Sequence, residues 1–135
     1  FTPARDLPLL EIDREAVTRA IINLLDNAVA ACRSAPPGEP ARIELATEYK
    51  ERLGVVQLEV ADNGSGIPAE MRGRLFEPYA STNEDGTGLG LAIVSAIAAD
   101  HQAYVRVRDN EPRGTRFVIE FPLRRRQDAP RVARA

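Results

Sequence analysis

Gly86-Thr87-Gly88-Leu89-Gly90-Leu91 runs without interruption into the apolar stretch Ala92-Ile93-Val94-Ser95-Ala96-Ile97. Glycine at every second position lets successive backbone N–H groups turn toward one point. The apolar run that follows makes a helix over about residues 89–99, which adds its unpaired first-turn donors and positive dipole end. Alone, the stretch has two readings: a turn ahead of a core helix, or a phosphate cradle at a helix N-terminus. A dinucleotide-binding loop is excluded, because that motif follows a buried strand and the residues here are the polar Ser81-Thr82-Asn83-Glu84-Asp85. The remaining stretches decide.

Working outward toward the N-terminus, residues 79–85 form a polar loop with few apolar anchors beside a glycine hinge, the composition of a lid. Residues 68–76 suit a short helix with Pro68 near its start and Glu77-Pro78 as its stop. Before it stands Asp62-Asn63-Gly64-Ser65-Gly66-Ile67, whose glycines permit a tight turn and the close approach of a flat ligand. Val56, Leu58 and Val60 alternate with Gln57, Glu59 and Ala61, so the same parity carries Asp62 onto the inner face of a strand. A carboxylate there needs donors. An exocyclic amine would supply one; a turn capped by Asp62 itself is the other reading.

A second half-buried strand is predicted from Ile43, Leu45, Thr47 and Tyr49 alternating with Arg42, Glu44, Ala46 and Glu48. Ahead of it a helix starts at Asp13, with Glu15 in its first turn, and ends at Ser34-Ala35-Pro36-Pro37-Gly38. Its core stripe is Val17, Ala20, Ile21, Leu24, Leu25 and Ala28. Asn23 and Asn27 lie four residues apart, one above the other on a single face. They either face water or offer two neutral amide oxygens to a magnesium ion otherwise held by water and phosphate; Asp26 points elsewhere. Residues 7–12 read as an edge strand. Beyond the glycine-led helix, Val105 and Val107, then Phe117, Ile119 and Phe121, mark two further strands joined by a hairpin loop at residues 110–114.

The 135 residues are sufficient for one core. A net charge of -2 gives no electrostatic case for nucleic acid or a membrane surface, and no apolar run approaches a membrane span. Cys32 is a lone cysteine in a helical pattern, read as a small hydrophobe in a reducing compartment. Phe1-Thr2-Pro3 looks like a cut from something longer. Residues 124–135 carry five arginines with no apolar period and are expected to form a disordered tail after a domain at 1–123.

Paired asparagines, Asp-Asn-Gly-x-Gly, Phe-Glu-Pro, Gly-x-Gly-x-Gly and a final Gly-Thr-x-Phe, in that order, resemble the ATP-binding catalytic domain of bacterial sensor histidine kinases. Their superfamily includes the gyrase, Hsp90 and MutL ATPases. Arg74-Leu75-Phe76-Glu77-Pro78-Tyr79 followed by a short lid is most similar to the nitrogen-regulation subgroup. The resemblance implies an α/β (α+β) two-layer sandwich: a mixed sheet of about five strands, three helices on one face, and a solvent face rich in Arg and Glu.

It further implies ATP and Mg2+ as cofactors, with Asn27 as main metal ligand and Asn23 beside it. Asp62 would accept from the adenine amine, Gly64 and Gly66 would shape the adenine pocket, and Phe76 would anchor the lid. Gly86, Gly88 and Gly90 would receive the triphosphate, with Thr87, Leu89 and Leu91 in the same loop. Gly114 and Thr115 would close the pocket, and Ile67 and Thr82 complete the nucleotide contacts. Partners would be a helical phosphoacceptor domain and a response regulator, with no nucleic acid; the fragment would be monomeric and cytoplasmic, its parent anchored at the inner membrane in some architectures.

The chain departs from relatives at three places. Ala30 and Ala31 stand where many carry a basic and an aromatic residue, Asn83 where many carry lysine, and His101-Gln102-Ala103 where His-Gly-Gly is usual. The expected activity is donation of the γ-phosphoryl group to a histidine outside this chain, with His101, the only histidine, in a structural role. Two rivals stand against it: a free-standing ATPase switch, which needs a carboxylate base where this chain has Asn23, and a non-catalytic nucleotide sensor.

Overall fold

The computed structural model describes residues 1–78 and 89–123. Helix α1 spans Arg14–Arg33. Asp13 caps it as its position predicts, Oδ1 accepting the Ala16 N–H at 3.1 Å. Val17, Ala20, Leu24 and Ala28 form its buried stripe. Strands β1 (Ile43–Lys50) and β2 (Val55–Asp62) make an antiparallel hairpin, closed by a 3-10 turn at Glu51–Leu53 and by Gly54 in the left-handed conformation. Helix α2 covers Gly90–Asp100, followed by β3 (Tyr104–Asp109) and β4 (Thr115–Pro122). The sheet order is β1-β2-β4-β3, and every ladder is antiparallel.

Register explains the two faces. Val56 pairs with Phe121, Leu58 with Ile119 and Val60 with Phe117, so the inward sets of the two central strands stand side by side. Leu24 and Ala28 of α1 and Val94 and Ile97 of α2 join Leu58, Val60, Phe117, Ile119 and Phe121 in one apolar cluster. The opposite face carries diagonal ion pairs, Arg106 Nε to Glu120 Oε1 at 2.7 Å and Arg116 Nη1 to Glu59 Oε1 at 2.7 Å, the Arg- and Glu-rich surface expected for an uncovered sheet.

The α/β class is as read from the sequence, with differences of detail. Four strands rather than about five are found among the described residues, because residues 7–12 form no strand. Pro8 removes a ladder donor from that run, Leu9 is 99% exposed, and Leu10 turns onto the core. The β1 edge is met instead by Thr2, whose N–H donates to the Leu45 carbonyl at 2.8 Å and whose carbonyl accepts the Thr47 N–H at 3.1 Å. This parallel bridge to Ala46 is isolated and lies outside the four strands, so the sheet is antiparallel rather than mixed. The expected third helix is a 3-10 segment, Ala69–Arg74, and Leu75 and Phe76 beyond it pack on the same core.

The end of α2 shows what replaced a glycine turn. Ala103 N–H donates to the Ala98 carbonyl at 2.8 Å and Gln102 N–H to that of Ala99 at 3.0 Å, the paired bonds of a Schellman cap. Gln102 takes the left-handed position at φ 56°. His101 Nδ1 lies 2.8 Å from the Ile97 carbonyl, and Nε2 accepts the Asp13 N–H at 2.9 Å. Since a carbonyl only accepts and an amide N–H only donates, the proton sits on Nδ1. His101 thereby ties the end of α2 to the start of α1.

Candidate functional site

Asp62 ends β2 on the inner face and is 1% exposed. Its Oδ1 accepts the Gly64 N–H at 2.9 Å and the Thr115 N–H at 3.3 Å. Burial raises its carboxyl above the ordinary value, and those two bonds oppose the shift. Among the described residues both bonds fall on Oδ1, which leaves Oδ2 for an external donor. Thr115 is itself buried, and its contribution to the site is the backbone N–H.

The β3–β4 loop holds this turn from behind. A Cβ on Gly114 would lie 1.9 Å from the Asp62 carbonyl oxygen and 2.8 Å from Asn63 Cα, and the residue sits at φ 107°. Arg113 Nε donates to the Asn63 carbonyl at 3.1 Å, and Asn110 Nδ2 to the Asp62 carbonyl at 2.7 Å. Asn63 in turn secures the segment before β1: Nδ2 donates to the Pro40 carbonyl at 3.0 Å and Oδ1 accepts the Arg42 N–H at 2.8 Å. Asn63, Asn110 and Arg113 were not among the expected site residues. Turn-forming residues in two separated loops carry no sign in sequence that the loops meet.

Helix α1 runs alongside. Asn23 and Asn27 are half-buried on one face and Asp26 is exposed, as the spacing required. At one end of that face, a Cβ on Gly90 would meet Asn23 Oδ1 at 3.5 Å, so the first residue of α2 abuts Asn23. At the other end, a Cβ on Gly64 would lie 2.5 Å from the Ala31 carbonyl carbon, and the Ser65 N–H donates to the Ala31 carbonyl at 3.1 Å. From Asn23 to Ala31 the helix advances about 12 Å at its ordinary rise, with Asn27 midway. One end of the face meets the start of α2 and the other meets the Asp62 turn.

Gly64 therefore serves contact with α1, whereas Gly66, at φ 78°, serves the backbone turn. The Ala31 backbone is the seat of the turn. Phe76 packs edge-on against Phe117, with ring centroids 6.4 Å apart at 79°. Ile67 and Leu91 are part of the apolar border of the core. Leu89 caps α2 at φ -102°. The expected contacts Thr82, Gly86, Thr87 and Gly88, together with the lid and the tail at 124–135, lie outside the described residues.

These donors fit a nucleotide and its metal. No group of three His, Cys, Asp or Glu side chains among the described residues is placed to hold a cation. Asn23 and Asn27 offer carbonyl oxygens of the kind that complete the shell of a magnesium ion arriving with phosphates. Asp62 offers a desolvated carboxylate oxygen to an amine. No helix of the described residues is long and apolar enough to cross a membrane.

The chain is similar to known proteins in sequence and in fold. The family described as histidine kinase-, DNA gyrase B-, and HSP90-like ATPase matches residues 12–125. The nitrogen regulation protein NtrY of Azorhizobium caulinodans is 37% identical over 112 residues, covering 83% of this chain and 14% of that protein. The sensory histidine kinase/phosphatase NtrB of Rhodobacter capsulatus is 36% identical over 122 residues, covering 82% of this chain and 33% of that protein. The chain thus spans a third or less of the length of these relatives. Among solved structures, full-length ShkA in complex with AMPPNP superposes with a TM-score of 0.75 at 30% identity, over 90% of this chain and 24% of that one.

Proposed function

The chain belongs to the histidine kinase-, DNA gyrase B- and HSP90-like ATPase family, and on that premise we propose that it is the catalytic domain of a two-component sensor kinase. In this reading residues 1–123 hold Mg-ATP and deliver its γ-phosphoryl group to a histidine on a separate helical domain, and residues 124–135 are an appended basic tail. The observation that carries the proposal is the buried Asp62 carboxylate, one oxygen pinned by two N–H donors and the other left for a ligand amine, at the end of a helix face that bears Asn27 and Asn23.

Asp62 accepts the adenine amine, with Gly64, Gly66 and Ile67 shaping the pocket and Thr115 fixing the carboxylate. Asn27, supported by Asn23, holds the metal through its amide oxygen. Magnesium, when bound, neutralises charge on the phosphates. The glycine-rich stretch from Gly86 through Thr87, Gly88, Leu89 and Gly90 to Leu91 receives the triphosphate, with Thr82 and Phe76 contributing from the lid and its anchor. The acceptor nitrogen forms its bond to phosphorus as the bond to the β–γ bridging oxygen breaks and ADP leaves. The protein's contribution is positioning and charge placement, with no covalent intermediate on this chain. The domain works in the cytoplasm, its parent anchored at the inner membrane in some architectures, and the phosphorylated helical domain passes its phosphoryl group to a response regulator.

An ATPase switch is the less favoured reading. Asn23 stands where a base would activate water, and an amide takes no proton at neutral pH. The test is incubation with γ-labelled ATP and magnesium. The chain alone should bind ATP, yield negligible acid-labile phosphoprotein and release phosphate very slowly; adding the parent's helical domain should produce labelling. Turnover on the order of one per second or faster by the chain alone would displace the kinase reading in favour of the ATPase.

A further inference from the structure

Asp62 can recognise a base edge only if its own peptide is held still, because a carboxylate misplaced by a fraction of an ångström loses its hydrogen bond to the ligand. The side chain is fixed at Oδ1 by Gly64 and Thr115. The main chain is fixed elsewhere, by the amide of Asn110 at the end of β3, whose Nδ2 donates to the Asp62 carbonyl at 2.7 Å. Its other end is equally engaged: Oδ1 accepts from Arg116 Nε at 2.9 Å and from the Glu111 N–H at 3.0 Å. Both of those partners are donors only, so the amide oxygen must face them and the NH2 must face Asp62. The Asn110 N–H donates to the Gly114 carbonyl at 3.0 Å, closing the loop on itself. Arg116 in turn is held by Glu59 of β2. A chain of hydrogen bonds thus runs from the outer face of the sheet, through Asn110, to the peptide that carries the buried carboxylate.

We infer that Asn110 is a positioning residue for base recognition, acting on the ligand through Asp62 without touching it. The inference rests on the reading of Asp62 as the adenine-amine acceptor. Aspartate is the informative replacement: it keeps the size and the acceptor for Arg116 and Glu111, and sets a carboxylate oxygen against the Asp62 carbonyl where the donor stood. The ion pair it would gain with Arg116 favours folding of the loop, the repulsion at the Asp62 carbonyl opposes it, and the thermal melts report whether the loop is kept.

The experiment is calorimetric titration of the full chain with ATP and magnesium for wild type, Asn110→Asp, Asp62→Asn and the double variant, with thermal melts of each. Asn110→Asp should weaken ATP about tenfold, the usual scale for one misdirected hydrogen bond to a charged group. Asp62→Asn should weaken it at least as much, and the double variant should bind no worse than Asp62→Asn alone, because a residue that acts through Asp62 has nothing left to position. Asn110→Ser, a shorter donor, serves as second variant should Asn110→Asp fail to fold, with the same non-additivity expected. Losses that add in the double variant, or unchanged affinity in the folded Asn110 variants while Asp62→Asn binds weakly, overturn the role of Asn110. Unchanged affinity in Asp62→Asn overturns instead the adenine reading, and the inference with it.

Discussion

Gly114 lies so close to Asp62 that the β3–β4 loop meets the end of β2 backbone to backbone, with 1.9 Å between a notional Gly114 Cβ and the Asp62 carbonyl oxygen. A methyl group there collides with backbone, which cannot rotate away, and φ 107° is unfavourable for any residue with a Cβ. Gly114→Ala should cost about 3 kcal/mol of stability or more in urea unfolding and weaken ATP binding as the turn is displaced. A variant as stable as wild type would mean that the loop can shift without consequence.

Asp62 makes stability and binding pull in opposite directions. Its folded pKa lies above its ordinary value of 3.8 because burial disfavours the charge. A carboxyl shifted upward favours the folded state in its protonated form, so that contribution is complete below the unfolded value and is lost as pH rises through the folded value. At neutral pH the ionised group is a cost. Asp62→Asn should therefore melt at or above the wild-type temperature at pH 7, with the difference shrinking as pH falls toward about 4, while ATP affinity drops roughly tenfold or more. A lower melting temperature at pH 7 would contradict the sign.

Asn27 sits midway between the two ends of the α1 face. Asn27→Ala should weaken ATP binding strongly in magnesium and far less in EDTA, with little change in melting temperature, since alanine is a better helix former at a half-buried site. Calorimetry under the two conditions decides; equal losses would leave Asn27 a packing residue and remove it from the metal.

Gln102 adopts φ 56° within the cap of α2. The left-handed conformation costs a side-chain-bearing residue about 1 kcal/mol that glycine does not incur. Gln102→Gly should raise stability by about that amount in equilibrium unfolding, and leave ATP affinity untouched. A destabilised variant would show that the Gln102 side chain contributes more than its backbone costs.

The sequence was most informative where one element carried its own period. Alternation along β2 put Asp62 inside before any partner was visible, and a four-residue spacing stacked Asn23 on Asn27; both stand as read. It was least informative where two loops far apart in the chain share a surface. The Asn110 bond to Asp62 spans 48 positions and the Cys32–Asn63 contact 31, and neither leaves a periodic trace. Gly64 looked like a turn glycine, yet what forbids a side chain there is the backbone of Ala31, a neighbour only in space. Residues 7–12 erred in the other direction, an apolar run that resembled a strand although Pro8 withholds a ladder donor. His101-Gln102-Ala103 read as the replacement of a glycine turn, and the hydrogen bonds of the Schellman cap hold Gln102 in the left-handed conformation without one.

The Thr2 bridge bears on how this sheet avoids its own kind. An eight-residue outer strand such as β1 displays unpaired amides and carbonyls that would template another chain. Thr2 occupies Leu45 and Thr47 through its own backbone, and Ala4 N–H donates to Thr47 Oγ1 at 2.9 Å, so the middle of that border is already taken. The far border, β3, is short and carries Arg106, Arg108 and Asp109, charges that discourage strand-to-strand addition. Trimming the first four residues would leave the folded core intact on paper and open an adhesive margin, so aggregation under concentration, rather than unfolding, is the cost that the amino-terminal strap holds off.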